Sequence, residues 1–209
     1  MKKMFFFFAL FITSICLAQN DEAFVDALVA QKMAELEMQE HPEYFLRKDY
    51  CDGNIQMFVM PDGKHCTSKS TYYAVYVFWK DGEDMLKFQK FDNCGSFQPI
   101  PIGMSKNIKK ALKEKQDLKT EDVKPYKGEK VDNNAFDNMS VQSCHKEYKF
   151  VFDGNVFEKS FREFDLTNNS KYKNVNADHN KSLMLIKLDN DLSEMIKNFE
   201  ENGRFFREN

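Results

Sequence analysis

Residues Tyr72 to Phe91 read YYAVYVFWKDGEDMLKFQKF, two apolar runs joined at Asp81-Gly82. An Asp-Gly pair between such runs predicts a β-hairpin, because a tight type I′ turn needs positive φ at both central positions. If Lys80 pairs with Glu83, the register is set. Val77 then faces Leu86 and Val75 faces Phe88, giving one wholly apolar side. On the other side Tyr76 meets Lys87, Ala74 meets Gln89, Phe78 meets Met85 and Tyr72 meets Phe91. A one-residue slip would exchange the faces, so the pattern itself argues for this pairing.

A second hairpin signal lies at Asp153-Gly154, within Tyr148 to Phe161. Its register sets Phe150 against Phe157, Val151 against Val156 and Lys149 against Glu158. Upstream, Ile55 to Met60 closes on Pro61-Asp62-Gly63 and leads into 65–80, so that 55–60, 65–80 and 84–91 read as an antiparallel meander. Phe97 to Ile102 carries Pro99 and Pro101, which confines it to an edge or an extended connector.

Helical periodicity appears at both ends. In Asp21 to Gln39, Val25, Leu28, Val29, Met33 and Leu36 recur on one face, with Pro42 as the stop. Ser105 reads as the N-cap of a short lysine-rich helix bearing Ile108, Ala111 and Leu112. Lys119 to Asn138 is polar and reads as a loop. Leu183 to Leu188 reads as a last strand. Asp191, with Glu194 at capping-box spacing, reads as the start of a closing helix carrying Leu192, Met195, Ile196 and Phe199, with Gly203 beyond its end. This order predicts an α+β domain: an antiparallel sheet of about five to six strands with an N-terminal and a C-terminal helix packed on one face of it. A β-barrel closed by a helix is the alternative.

Residues 1–18 have the pattern of an export signal. Lys2 and Lys3 precede the apolar run Met4 to Ile12, and Cys16-Leu17-Ala18 is a small-x-small cleavage site. Ile15 before Cys16 argues against a lipoprotein. Cleavage leaves 19–209 as one domain with a polar loop around 119–138. That chain carries 28 basic against 33 acidic residues, a net charge of −5, which argues against a nucleic-acid partner. The remainder has no membrane-spanning segment. Cys51, Cys66, Cys94 and Cys144 are an even set in an exported chain and predict two disulfides. In the hairpin register Cys66 and Cys94 approach the same end of adjacent strands, which leaves Cys51 with Cys144. Cys51–Cys66 with Cys94–Cys144 is the alternative.

Motifs for catalysis are absent: there is no G-x-S-x-G, H-E-x-x-H, P-loop or dinucleotide fingerprint. His41, His65, His145 and His179 are scattered. A metal site would need His65 and His145 to converge with a carboxylate such as Asp62. Asp189-Asn190-Asp191 resembles the start of a calcium loop but lacks its Gly and distant Glu. No cofactor is implied. Asn138, Asn168 and Asn180 begin glycosylation triplets. The feature with functional content is the second face of the first hairpin, where Tyr72, Tyr76, Phe78, Met85, Lys87 and Phe91 would form an aromatic and polar platform for a protein or a glycan. The expected function is therefore a non-enzymatic exported binding module. A hydrolase assembled only in three dimensions and a structural envelope component are the alternatives.

Overall fold

The computed structural model describes residues 21–39, 43–128, 143–170 and 173–208. Residues 1–18, read above as an export signal, Pro42 and residues 129–138 of the polar loop lie outside these residues, as does the Asn138 triplet.

In chain order the elements are α1 (Glu22–Met38), β1 (Tyr44–Cys51), β2 (Met57–Val59), β3 (His65–Thr67), β4 (Tyr73–Lys80), β5 (Met85–Asp92), β6 (Gly95–Ser96) and β7 (Ile100–Gly103). Then follow α2 (Lys106–Lys113), α3 (Lys115–Thr120), β8 (Cys144–Phe152), β9 (Asn155–Arg162), a 3₁₀ turn (Glu163–Leu166), α4 (Ala177–Ser182) and α5 (Met184–Glu201). The main sheet is antiparallel and open, in the order β6-β5-β4-β1-β8-β9, with β7 also on the outer edge of β5. It is α+β and not a closed barrel. β2 and β3 form a separate ribbon, so the strand expected over 65–80 breaks at 68–72. The proline-bearing stretch takes the edge position, as its missing donors require.

Both faces of the sheet are covered. On one, Val25, Val29 and Leu36 of α1 pack against Val75, Val77, Trp79 and Phe91. On the other, Leu185, Leu188, Leu192 and Ile196 of α5 pack against Phe45, Tyr76, Phe78, Phe88, Tyr148 and Phe150. The expectation that the helices share one face is therefore corrected: α1 lies on one side, α5 on the other.

The first hairpin also departs from expectation. β4 and β5 pair Val77 with Gln89, Phe78 with Phe88, Tyr76 with Lys90 and Val75 with Phe91. That is three residues away from the two-residue-turn register. The connection is longer: only Gly82 has a positive φ, 118°, and Asp81 N donates to Met85 O at 3.0 Å. An odd shift exchanges the faces of β5. Because β4 is apolar on both sides, either register would bury it, and the alternation could not discriminate. The second hairpin has the expected register, with Asp153 at φ 50° and Gly154 at 74°.

The strand of greatest consequence has no counterpart in the sequence-based expectation. β1 lies at the centre of the sheet, between β4 and β8. Its middle, Arg47-Lys48-Asp49, hides the strand pattern, yet Arg47 and Lys48 are buried. Lys48 reaches α1, donating to Glu22 at 2.5 Å.

Leu183 to Leu188 is helical rather than a strand: it forms the start of α5, a run whose continuous apolar character suits either element. Asp191 lies inside α5, where its carboxylate accepts from Asn107 at 3.0 Å and from Ser105 Oγ. Ser105 in turn caps α2 through Ile108 N at 3.1 Å. The N-terminal cap of α5 comes from outside its own segment: Glu121 accepts from Met184 N at 2.6 Å. At the other end, Gly203 at φ 60° closes a Schellman motif, with Gly203 N donating to Glu200 O and Arg204 N to Phe199 O. Asn180 is buried and donates to the Lys124 and Asp165 carbonyls, so its glycosylation triplet is a structural feature.

Candidate functional site

Both disulfides form, Cys51–Cys144 between directly opposed residues of β1 and β8, and Cys66–Cys94 between the ribbon and the end of β5. The second holds the ribbon over the sheet. The C-terminal tail closes the opposite side. After Gly203 the chain runs antiparallel to 96–98, with Gln98 N donating to Phe206 O and Glu208 N to Ser96 O. Phe205 packs on Phe88, Phe97 and Phe199. Arg207 forms a two-pronged pair with the fully buried Asp92 at 2.9 and 2.7 Å, and its guanidinium lies 4.2 Å from the Phe97 ring centroid.

Between ribbon and tail opens a cleft of about 820 Å³. Its ribbon wall is made by Asn54, Gln56 and the segment Phe58 to Pro61, and its tail wall by Phe205, Phe206 and Arg207. The floor holds Asp49, Tyr72, Tyr76 and Lys90, and the ends reach Glu163, His145 and Glu200.

The six platform residues are thus divided. Tyr72 and Tyr76 reach the cleft floor. Tyr72 OH donates to Asp92 at 3.2 Å and Tyr76 OH to Glu200 at 3.4 Å, and burial raises both phenols above their usual pKa. Phe78 is a core residue, stacked between Phe45 at 4.7 Å and Phe88 at 5.4 Å. Phe91 is buried on the opposite face, under α1. Lys87, also on that side of β5, pairs with Asp81 at 3.0 Å, while Met85 is exposed at the hairpin loop. A single platform of all six is therefore not what the fold makes; the register shift separates them.

Beneath the cleft floor lies a buried ionic group. Arg47 forms a two-pronged pair with Asp49 at 2.7 and 2.6 Å and donates to Ser193 at 2.9 Å. Lys146 donates to Asp189 at 3.0 Å and to Ser193 at 3.1 Å, and Tyr148 OH donates to Asp189 at 2.6 Å. Burial works against the Arg47 charge, yet Tyr148, Asp49 and Asp189 hold its pKa well above the ordinary value. Burial also drives the Tyr148 phenol well up. Asp189 is thus engaged inside the fold by Lys146, Tyr148 and Arg47.

His145 Nε2 lies 3.2 Å from Asp52, with its ring stacked on Tyr50 at 4.8 Å. Among the described residues no three His, Cys, Asp or Glu side chains converge to hold a metal, and no helix is long and apolar enough to cross a membrane. Sequence reasoning missed Asp49, Glu163, Glu200 and the tail. None belongs to a motif; they meet only because β1, the 3₁₀ turn and the end of α5 converge. The chain matches no family model, no curated protein and no solved structure at a significant level.

Proposed function

We propose that this protein is an exported, non-enzymatic binding module that holds a protein or glycan ligand in the cleft between ribbon and C-terminal tail. Export rests on the composition of residues 1–18 together with two disulfides, which persist in oxidising compartments. The observation that carries the binding reading is the pairing of the cleft's carboxylates within an open groove. Asp49 is held by Arg47 at 2.6 Å, Glu200 by Lys90 at 3.0 Å, and Glu163 lies 3.8 Å from Lys146. Each of these cleft carboxylates thus has a cation of the fold itself as its partner. Cys51 and Cys144, at the cleft's edge, are joined and offer no thiolate. What is left is an open groove with aromatic, aliphatic and amide side chains, a composition suited to holding a ligand.

The test is affinity capture from the host's envelope fraction by residues 19–209, compared with Gln56→Trp, which fills the ribbon wall. Capture should be lost in the variant while its melting temperature stays unchanged. Equal capture by a folded Gln56→Trp protein would refute the cleft as the binding site.

A further inference from the structure

Resting on that reading, we infer that the ligand is an extended polypeptide segment carrying a Lys or Arg side chain, laid between β2 and the tail. The first support is the direction in which the cleft's charges point. The lining cations face inward: Lys90 and Arg207 each have only 9 % of their side chains exposed, turned toward Glu200 and Asp92. The carboxylates face outward, Asp49 with 27 % of its side chain exposed, Glu200 with 48 % and Glu163 with 56 %. Arg47, behind Asp49, is only 4 % exposed. Under the floor Arg47 and Lys146 are matched by Asp49 and Asp189, and Glu163 at the cleft's end is a further carboxylate, 3.8 Å from Lys146. A ligand entering from solvent therefore meets the negative ends of the pairs, which attract a cation and repel an acidic segment.

The second support is the lips of the cleft. Val59 is 68 % exposed and Phe206 63 % exposed, and both line it together with Met60 and Pro61. Val59, Met60 and Pro61 are aliphatic or thioether groups that complement the apolar side chains of a peptide, with Phe206 as the aromatic lip opposite.

The third is main-chain geometry. The cleft is lined by Asn54, Gln56 and Phe58 to Pro61 and by no residue of β3, and among the described residues β3 is the one strand that pairs with β2, which leaves β2 an edge without a ladder partner. An unpartnered strand edge is a template for a further strand, with main-chain bonds supplying affinity and side-chain pockets supplying choice. A peptide has the alternating donors and acceptors to use it; a glycan does not.

The experiment is to pan a displayed library of random dodecapeptides against the disulfide-bonded chain and against Gln56→Trp, then measure recovered peptides by fluorescence polarisation. The expected result is peptides enriched in Lys and Arg that Gln56→Trp does not retain. Their affinity should fall about two- to fivefold in Glu163→Gln, the size of a partly exposed charge pair. It should also fall when salt rises from about 0.05 to about 0.3 M. Enrichment in acidic or uncharged peptides, or indifference to Glu163→Gln, would overturn the inference. So would recovery of no peptide when an array of neutral glycans shows binding that Gln56→Trp abolishes, although that outcome leaves the cleft standing as a binding site. Peptides retained equally by Gln56→Trp would overturn the cleft and the inference together.

Discussion

Asp165 is a single carboxylate serving several donors: Tyr126 N at 2.9 Å, Arg162 N at 3.1 Å and the Arg162 guanidinium at 2.9 Å. Burial alone would raise its pKa, but Arg162 and the two amides hold it below the ordinary value. The folded value is depressed, so the stability it contributes is present above the unfolded pKa of about 3.9 and is lost as pH falls through the lower folded value. Asp165→Asn should therefore lower stability at neutral pH and flatten the loss below about pH 4, as read from urea unfolding across a pH series. An unchanged acid slope would show that the carboxylate is not its source. The register of the first hairpin makes a second prediction. Phe88 and Tyr76 share the α5 face and are both buried. Phe88→Ala should cost about 3–5 kcal/mol in chemical denaturation, and Tyr76→Ala a comparable amount. Lys87→Ala, which removes only a surface pair with Asp81, should stay within about 0.5 kcal/mol. A neutral Tyr76→Ala would contradict the burial of that face under α5.

The two disulfides act on different elements. Cys51–Cys144 spans 93 residues and Cys66–Cys94 spans 28. Loop-closure entropy alone assigns them about 4.6 and about 3.6 kcal/mol respectively. Cys51→Ala/Cys144→Ala should thus lower the melting temperature more, although its strands stay joined by the β1–β8 ladder. Cys66→Ala/Cys94→Ala should act locally, because that bond ties a three-residue-per-strand ribbon to the sheet. Amide exchange over 55–67 should then accelerate while α5 and β1 keep their protection. Uniform acceleration through the whole chain would contradict a locally tethered ribbon.

At the scale of the whole molecule, two cores share one sheet. Trp79, the chain's single tryptophan, lies in the core under α1, while the cluster under α5 is built on alternate residues of the same β4 and β5 strands. Neither layer can lose its sheet without exposing the other. Trp79 fluorescence and far-ultraviolet circular dichroism, to which α1 with 17 residues and α5 with 18 both contribute, should therefore report one unfolding midpoint. A Trp79 transition well ahead of the helical one would mean that α1 detaches independently.

Local chemistry was enough for much of this. The Ser105 cap, the Asp153-Gly154 turn, the edge placement of the Pro99–Pro101 stretch and the Gly203 terminus each depend on a few neighbouring residues, and each was legible from them. The α+β class followed from their order; the cysteine pairing is the expected one, although the hairpin register and the unbroken 65–80 strand it was argued from are not those of the fold. Long-range partners decided the rest. Arg47 and Lys48 disguise the central strand because their side chains are answered by Ser193, Asp189 and Glu22, far away in the chain, while Asp49 is paired by Arg47 itself. The first hairpin's register was unreadable because a strand covered on both faces has no polar side to orient it. The start of α5 resembled a strand because its cap is Glu121, 63 residues upstream. The cleft is the extreme case. Its walls come from a disulfide-tethered ribbon and a tail pinned by Arg207 on Asp92, contacts that exist only after the chain has closed on itself.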